Sequence, residues 1–152
     1  MTAAVTLAAL GNGPAFSAYG SANQTLANST AVKIQFNTEE FDTNSCFDST
    51  TNYRFTPTVA GYYLFNSTIF FPVSATGISV IYLYKNGSSV KLGVLNNSAN
   101  GNSFPSLSAL VYANGTTDYF EIYGLQTSGA SQSAGSSEAT RPFSAVLVRS
   151  AV

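Results

Sequence analysis

The sequence predicts an all-β sandwich, and three observations lead to this fold class. Apolar residues alternate with polar ones or form short runs, turn residues interrupt them about every ten positions, and no amphipathic helical pattern is present. Charged residues make up 9% of the 152-residue chain, against about 25% in average soluble domains. Ser, Thr and Asn, or other protein, must therefore cover the surface. The chain is long enough for one domain with its own core.

The first strands are predicted from short apolar runs. Residues 16–21 form one strand after Pro14, and residues 31–36 form another. The polar segment 37–51 holds a loop and a short strand, with Phe41 and Phe47 as anchors. The richest stretch, "RFTPTVAGYYLFNSTIFF" at residues 54–71, follows as the next strand.

Two Asn-Gly pairs predict hairpin turns, because a type I′ turn needs positive φ at both central residues. Asn86-Gly87 lies within residues 78–95, and Asn114-Gly115 joins residues 106–112 to residues 118–125. The last strand covers residues 141–149.

The alternation of strand direction predicts which loops share an end of the sandwich. Both Asn-Gly turns and the C-terminus should lie at one end, which we call the base. The polar loops 96–103 and 127–140 should lie at the other end, the apex, as free loops. This expectation assumes a simple up-and-down strand order.

Two strands carry apolar residues on both faces, although an antiparallel sheet that meets water should have one polar face. By period two, Tyr63, Phe65, Ile69 and Phe71 share one face with Ser67. The opposite face holds Tyr62, Leu64 and Phe70 with Asn66 and Thr68. In the last strand, Phe143, Ala145 and Leu147 oppose Val146 and Val148. Another subunit is therefore expected to cover the outer face.

These residues also carry a family resemblance. "FTPTVAGYYLF" resembles the F-x-P-x-x-x-G-x-Y-x-F signature of the C1q-like domain, in the tumour-necrosis-factor-like superfamily, at Phe55, Pro57, Gly61, Tyr63 and Phe65. "PAFSAY", "IYLYKNG", "DYFEIYGLQTSG" and "PFSAVLV" resemble further strands of that family in the same order. The last of these has Ala145 where the family usually has Gly.

The resemblance implies a ten-stranded jelly roll that assembles as a homotrimer with its inner sheet around the three-fold axis. Residues 14–152 would form this domain and residues 1–13 an N-terminal arm. Pro57 would shape the entry turn without leaving an N–H unpaired, and Gly61 would allow a close backbone approach. The expected trimer interface consists of Phe16, Tyr19, Tyr62, Leu64, Phe70, Val146 and Val148.

The Asn/Ser/Thr-rich style, with no collagen-like Gly-X-Y run, resembles bacterial and phage members of the family. This implies a structural protein on a bacteriophage virion surface, either decorating the capsid or forming a tail-fibre tip that binds the host. Other virion proteins, and a host-surface glycan or protein, would be its partners. The alternative is a bacterial surface or secreted recognition module. The residues expected to contact a ligand at the apex are Asn97, Asn100, Asn102, Ser128, Ser131, Gln132 and Ser136.

Composition argues against other classes of function. The chain has no histidine and one cysteine, Cys46, which excludes His-based catalysis, a His-based metal site and a disulfide within one chain. The net charge of −1 and the scattered basic residues give no case for nucleic acid, and no run is long enough for a membrane helix. No enzyme and no cofactor are expected. Calcium is the one candidate ion, at the acidic residues Glu39, Glu40, Asp42 and Asp48.

Overall fold

The computed structural model describes residues 12–72, 77–97 and 101–151, and this part of the chain consists of strands and loops. The apolar alternation seen in the sequence produces two antiparallel sheets packed face to face. Its strands are β1 (Ala15–Tyr19), β2 (Gln24–Leu26), β3 (Val32–Lys33), β4 (Thr38–Asp42), β5 (Phe47–Asp48), β6 (Arg54–Phe55), β7 (Gly61–Thr68), β8 (Ile78–Lys85), β9 (Ser88–Leu92), β10 (Asn96–Asn97), β11 (Ser106–Ala113), β12 (Phe120–Gln126), β13 (Gln132–Ala134) and β14 (Pro142–Ser150).

The first sheet has five strands in the order β11-β7-β14-β1-β4. The second sheet follows the order β10-β8-β12-β6-β5, with β3 paired to β12 and β9 paired to β8. A small separate pair joins β13 to β2. This all-β sandwich confirms the predicted fold class.

Aromatic rings from both sheets form the core between them. Phe143 of β14 lies within 5.0 Å of Phe16 and 5.1 Å of Phe36, measured between ring centroids, and Phe65 of β7 lies 4.5 Å from Phe120 of β12. All five side chains are fully buried. Along β7, Tyr63, Phe65 and Ser67 are buried while Tyr62 and Asn66 are exposed, as the period-two assignment predicted.

The signature glycine takes the role predicted for it. A Cβ at Gly61 would lie 2.4 Å from the carbonyl oxygen of Arg149 and 2.6 Å from Leu147 Cδ1. The neighbouring strand β14 therefore approaches the start of β7 too closely for a side chain. The hydroxyl of Tyr63 donates a hydrogen bond of 2.7 Å to the carbonyl of Val59, which fixes the chain entering the strand.

The two Asn-Gly pairs differ in structure. Asn86 and Gly87 have φ of 53° and 78°, and they connect the paired strands β8 and β9 as a hairpin, as predicted. The hairpin predicted at Asn114-Gly115 is wrong, because β11 and β12 belong to different sheets. Asn114 Oδ1 accepts hydrogen bonds from the N–H groups of residues 116, 117 and 118, so this side chain closes a longer loop that crosses between the sheets.

The assignment of loops to the two ends is confirmed at the base. Asn86 Nδ2 donates to Asp118 Oδ1 at 2.7 Å, which joins the two Asn-Gly loops, and the N–H of Ala151 donates to the carbonyl of Ala60 nearby. At the apex, the N–H of Thr127 donates to the carbonyl of Ile78.

The apex segment 127–140 is not the free loop that was predicted. Its β13 pairs with β2 in the register Gln132↔Leu26 and Ala134↔Gln24, and Ala134 is buried. Backbone pairing and apolar burial therefore fasten this segment to the sandwich.

Two further strand predictions and one predicted anchor residue need correction. Only Val32–Lys33 of residues 31–36 is a strand, and residues 54–71 split into β6 and β7. Phe47 is a buried anchor, whereas Phe41 points outward and is 51% exposed. Phe41 pairs with Ser17 of β1. The neighbours of Ser17, Phe16 and Ala18, point into the core, so Ser17 and Phe41 lie on the outer side of the sheet.

Candidate assembly interface

The outer face of the five-stranded sheet is apolar in the half nearer the base. Within it, Leu110 of β11, Leu64 of β7 and Val146 of β14 stand side by side, because Leu110 pairs with Leu64 and Leu64 with Val146. Tyr112 and Tyr62 form the next pair, with ring centroids 5.5 Å apart. We define the apolar face as Tyr62, Leu64, Leu110, Tyr112, Val146 and Val148; all except the half-buried Leu64 are 42% to 53% exposed.

The same sheet face is polar in the half nearer the apex. Asn66 of β7 pairs with Ser108 of β11 on one side and with Ser144 of β14 on the other. Ser17 of β1 pairs in turn with Ser144, and its hydroxyl donates to a carboxylate oxygen of Glu40 at 2.5 Å. The outer face is therefore divided, and its uncovered apolar surface lies toward the base.

The predicted interface residues fall into three groups. Tyr62, Leu64, Val146 and Val148 lie on the apolar face, and Tyr19 shares the outer side of the sheet on β1, where it is half-buried. Phe70 lies beyond the end of β7 and packs on Phe104, with ring centroids 5.1 Å apart.

The assignment of Phe16 to the interface is wrong. Phe16 is fully buried in the core, where it stacks on Phe47 at 4.5 Å and on Phe55 at 4.6 Å. Its position on β1 alternates with that of Tyr19, so the two side chains point to opposite sides of the sheet. Phe16 has no surface left for a second chain.

Sequence reasoning missed Leu110 and Tyr112. The signal was present, because residues 106–113, "SLSALVYA", place Leu110 and Tyr112 on one face and Leu107, Val111 and Ala113 on the other. Pairing β11 with β7 shows that the first of these faces continues the outer face of the sheet.

A second exposed apolar surface lies at an edge of the sandwich. We define the apolar edge as Val90, Leu92, Val94 and Leu95, which are 40% to 61% exposed. The N–H of Val94 donates to the carbonyl of Ser106 at 2.8 Å, so this edge lies directly beside the edge strand β11. The chain therefore exposes two neighbouring apolar surfaces, the apolar face and the apolar edge.

A groove opens at the base end of the apolar face. Its volume is about 600 Å³, and Tyr62, Leu110, Val148, Arg149, Ser150 and Ala151 line it. The irregularity between Leu147 and Arg149 shifts the register of β14 against β7 at this point. The groove is thus a depression in the sheet surface, between β11 and the end of β14.

The predicted apex contacts are only partly available to a ligand. Asn102, Ser131 and Ser136 are exposed. The hydroxyl of Ser128 donates to Gln126 Oε1 at 2.7 Å and accepts from Gln132 Nε2 at 2.9 Å, so both predicted contacts belong to an internal network. Asn100 lies outside the described residues, and Asn97 is described only by its backbone in β10.

The acidic residues predicted as calcium ligands accept hydrogen bonds from different groups of the protein. Asp48 accepts hydrogen bonds from the N–H groups of Thr51 and Thr50, which hold the pKa of this carboxyl well below its usual range. Asp42 accepts from the N–H of Phe47 at 2.7 Å, and Glu39 accepts from the hydroxyl of Ser49 at 2.6 Å. Within residues 12–72, 77–97 and 101–151, no group of three or more acidic, His or Cys side chains is arranged to hold a metal ion.

Cys46 and Arg141 are both buried. Cys46 is in the core rather than on the outer face, with its Sγ 3.6 Å from Thr58 Oγ1. Arg141 is 1% exposed, and Nη2 donates to the carbonyl of Ala22 at 2.5 Å. Burial lowers the pKa of Arg141 to about 10.

One ion pair fastens the two loops at the base. Lys85 Nζ lies 2.8 Å from Asp118 Oδ2, and the same carboxylate accepts from the N–H of Asn114. Burial alone would raise the pKa of Asp118, but the hydrogen bonds from Lys85, Asn86 and Asn114 outweigh it and lower this pKa.

Comparison with solved structures identifies the fold. The globular domain of zebrafish complement 1qA superimposes with a TM-score of 0.61 at 19% identity, covering 91% of this chain and 99% of that one. The chain has the jelly-roll fold of the C1q and tumour-necrosis-factor domains. The Eiger TNF of S. frugiperda (TM-score 0.62, 11% identity, 92% and 96% covered) and murine APRIL (0.66, 8%, 90% and 99%) are also similar.

Comparison of the sequence alone gave no match. No protein-family model and no curated protein corresponds to it. Among the described residues there is no helix long and apolar enough to cross a membrane.

Proposed function

We propose that this chain is a non-enzymatic homotrimeric display and binding protein, with the apolar face turned toward the three-fold axis. The observation that carries the proposal is the cluster of exposed apolar side chains on one half of one sheet, on a chain with 9% charged residues. Large exposed apolar patches mark interaction sites on soluble proteins. The resemblance to the C1q-like domain implies a trimer, and this chain shares the fold of the complement 1qA domain.

The position of the two apolar surfaces favours a ring over a two-fold dimer. A two-fold dimer would pair the apolar face with itself and leave the apolar edge exposed. A heterologous contact places the edge of one copy against the face of the next, and such contacts close into rings when the rotation permits. A ring of three copies covers both surfaces on every chain.

The first test is the absolute mass in solution, measured by light scattering on a sizing column. The expected result is one species at three times the 15.9 kDa mass of the chain. Leu64→Asp should give a folded monomer, because it would bury an unpaired charge at the interface. Asn66→Asp, on the polar half of the same strand, is the matched control and should remain trimeric. A monomeric parent protein at 100 µM would refute the assembly.

Within this class we propose a role on the surface of a bacteriophage virion. The support is the resemblance of the charge-poor, Asn/Ser/Thr-rich sequence to phage members of the family. The base would then attach to the particle, as a capsid decoration or a fibre tip. The exposed Asn102, Ser131 and Ser136 at the apex would face the host surface.

The virion role is tested separately from the assembly. Mass spectrometry of purified particles from the source phage should detect the chain in multiples of three copies. Detection only in host membrane or culture-medium fractions would overturn this role and favour a cellular recognition module, and the trimer would stand or fall by its own measurement. The triple variant Asn102→Ala, Ser131→Ala, Ser136→Ala should keep the trimer mass and reduce adsorption to host cells.

A further inference from the structure

We propose that a groove at the apex binds a neutral saccharide, and this inference rests on the display and binding role proposed above. The apex groove has a volume of about 400 Å³, which is within the range of small-molecule sites. Its lining includes Asn23, Phe70, Pro72, Ser133, Ser136 and Thr140. These residues belong neither to the apolar face nor to the apolar edge, so the proposed trimer leaves the apex groove uncovered.

Backbone hydrogen bonds hold the walls of the apex groove in place. The N–H of Phe70 donates to the carbonyl of Thr140 at 2.7 Å, and the N–H of Gly135 donates to the carbonyl of Phe70 at 3.0 Å. Asn23 directly precedes β2, which is fixed by its pairing with β13. The groove is therefore formed before a ligand arrives, and this lowers the entropy cost of binding.

The buried side chain of Arg141 fastens the wall that carries Asn23. Its Nη2 donates a hydrogen bond to the carbonyl of Ala22, the residue before Asn23. The guanidinium occupies the space that a Cβ at Gly20 would fill, so this contact requires a glycine there. Arg141 is 1% exposed. It therefore supports the wall and does not itself contact a ligand.

The apex groove offers hydrogen-bonding groups without charge. Asn23 supplies an amide that donates and accepts, and Ser136 supplies a hydroxyl; both residues are exposed. The hydroxyls of Ser137 and Thr140 lie 2.8 Å apart as a bonded pair. Among the lining residues that the structure describes, none is charged, and the exposed Glu138 in the same loop would repel an anion. A charged ligand group would lose water there without gaining an ion pair, so the lining favours an uncharged polar ligand.

The apolar part of the apex groove favours a saccharide among such ligands. Phe70 contributes a half-buried ring that is held against Phe104, with ring centroids 5.1 Å apart, and Pro72 extends this surface. The C–H faces of a pyranose suit the negative face of an aromatic ring, while its hydroxyls can bond to Asn23 and Ser136. A folded protein partner would need an interface of about 1,000 Å² or more, which is far larger than this groove.

An NMR titration of the full chain tests the site directly. The neutral probes are methyl α-D-glucopyranoside, methyl α-D-mannopyranoside, methyl β-D-galactopyranoside, N-acetyl-D-glucosamine and maltotriose, and N-acetylneuraminic acid is the anionic comparison. At least one neutral probe should bind with a millimolar or lower Kd and shift the backbone amide signals of residues 133–137. The anionic probe should bind roughly ten-fold more weakly. No binding by any neutral probe, or tighter binding by the anion, would overturn the proposal.

Single substitutions locate the contact. Asn23→Ala and Ser136→Ala should each weaken the binding of the best probe about five-fold, the effect of losing one hydrogen bond. Asn102→Ala is the matched control, because Asn102 is an exposed residue of the apex that is not among the described lining residues. It should leave the Kd unchanged, and all three variants should unfold like the parent protein since the side chains are exposed. A Kd that neither Asn23→Ala nor Ser136→Ala alters would contradict the proposal.

Light scattering and particle analysis keep this inference separate from the proposed function. Saccharide binding by a monomer would refute the trimer and retain the site in the apex groove. A trimer that is found on purified particles and binds none of the probes would retain the proposed function and refute the saccharide site.

Discussion

Gly61→Ala tests whether the signature glycine is required by the close approach of β14. Gly61 is the first residue of β7, where it pairs with Ala113 of β11 and Ser150 of β14. The new methyl group would lie 2.4 Å from the carbonyl oxygen of Arg149 and 3.0 Å from Ser150 Cα. Ordinary carbon–oxygen contacts are about 3.3 Å or longer, so the backbone of β14 must move by roughly 1 Å.

The expected cost follows from this displacement. Overpacking in a tight site costs typically about 1–3 kcal/mol, and the upper half of this range applies because the obstacle is backbone inside a paired strand. We expect Gly61→Ala to lose about 2–3 kcal/mol. With about 2–4 °C per kcal/mol for a domain of this size, the melting temperature should fall by roughly 4–12 °C.

Urea unfolding at one fixed protein concentration measures this change, because an assembly makes stability depend on concentration. Gly129→Ala is the matched control: its Cβ meets no atom within 4 Å, but its φ of 90° disfavours a side chain. The control should lose about 1–2 kcal/mol, the cost of a side chain at a left-handed backbone position. If Gly61→Ala unfolds within 0.5 kcal/mol of the parent protein, or loses less than the control, the close-approach argument is wrong.

Two further changes are expected to have measurable effects. Phe143→Ala removes the ring that touches Phe16 and Phe36 and should lower the free energy of unfolding by about 3–5 kcal/mol. Phe41→Ala, at an exposed ring, is the control and should change the free energy of chemical unfolding by less than about 1 kcal/mol. Equal losses in the two variants would contradict the assignment of Phe143 to the core. Asp118→Asn leaves Lys85 without its ion pair and should cost about 1–3 kcal/mol at pH 7. Because the pKa of Asp118 is lowered on folding, its contribution is present above the ordinary Asp pKa of about 3.9 and is lost as the pH falls through the lower folded value. The parent should therefore lose more stability than Asp118→Asn between pH 7 and pH 3, and parallel acid-unfolding curves would argue against this role.

Local patterns in the sequence were sufficient for the fold class and for the long strands. The alternation in β7 and β14 places Tyr63, Phe65 and Phe143 in the core because side chains of a strand alternate between its faces. The same pattern identified four of the six residues of the apolar face, Tyr62, Leu64, Val146 and Val148. Phe16 and Tyr19 could not both belong to the outer face, because their positions differ in parity along β1.

Pairing between distant strands was harder to predict. Asn114-Gly115 has the composition of a hairpin turn, but the Asn114 side chain instead accepts three backbone hydrogen bonds and the loop leads into the other sheet. Likewise, the Ser- and Gly-rich composition of residues 127–140 gives no sign that β13 pairs with β2, about a hundred residues earlier in the chain. The groove at the base end of the apolar face lies beside the register shift between Leu147 and Arg149, which no local pattern encodes.

The central position of β14 has a consequence for the synthesis of the protein. This strand lies between β7 and β1, yet it is translated after every other strand in the described part of the chain. Until it leaves the ribosome, β7 and β1 each present an unpaired edge, and unpaired edges invite pairing with other chains. The sandwich therefore closes only after β14 has left the ribosome, and nascent chains on crowded polysomes should aggregate more readily than the folded protein does.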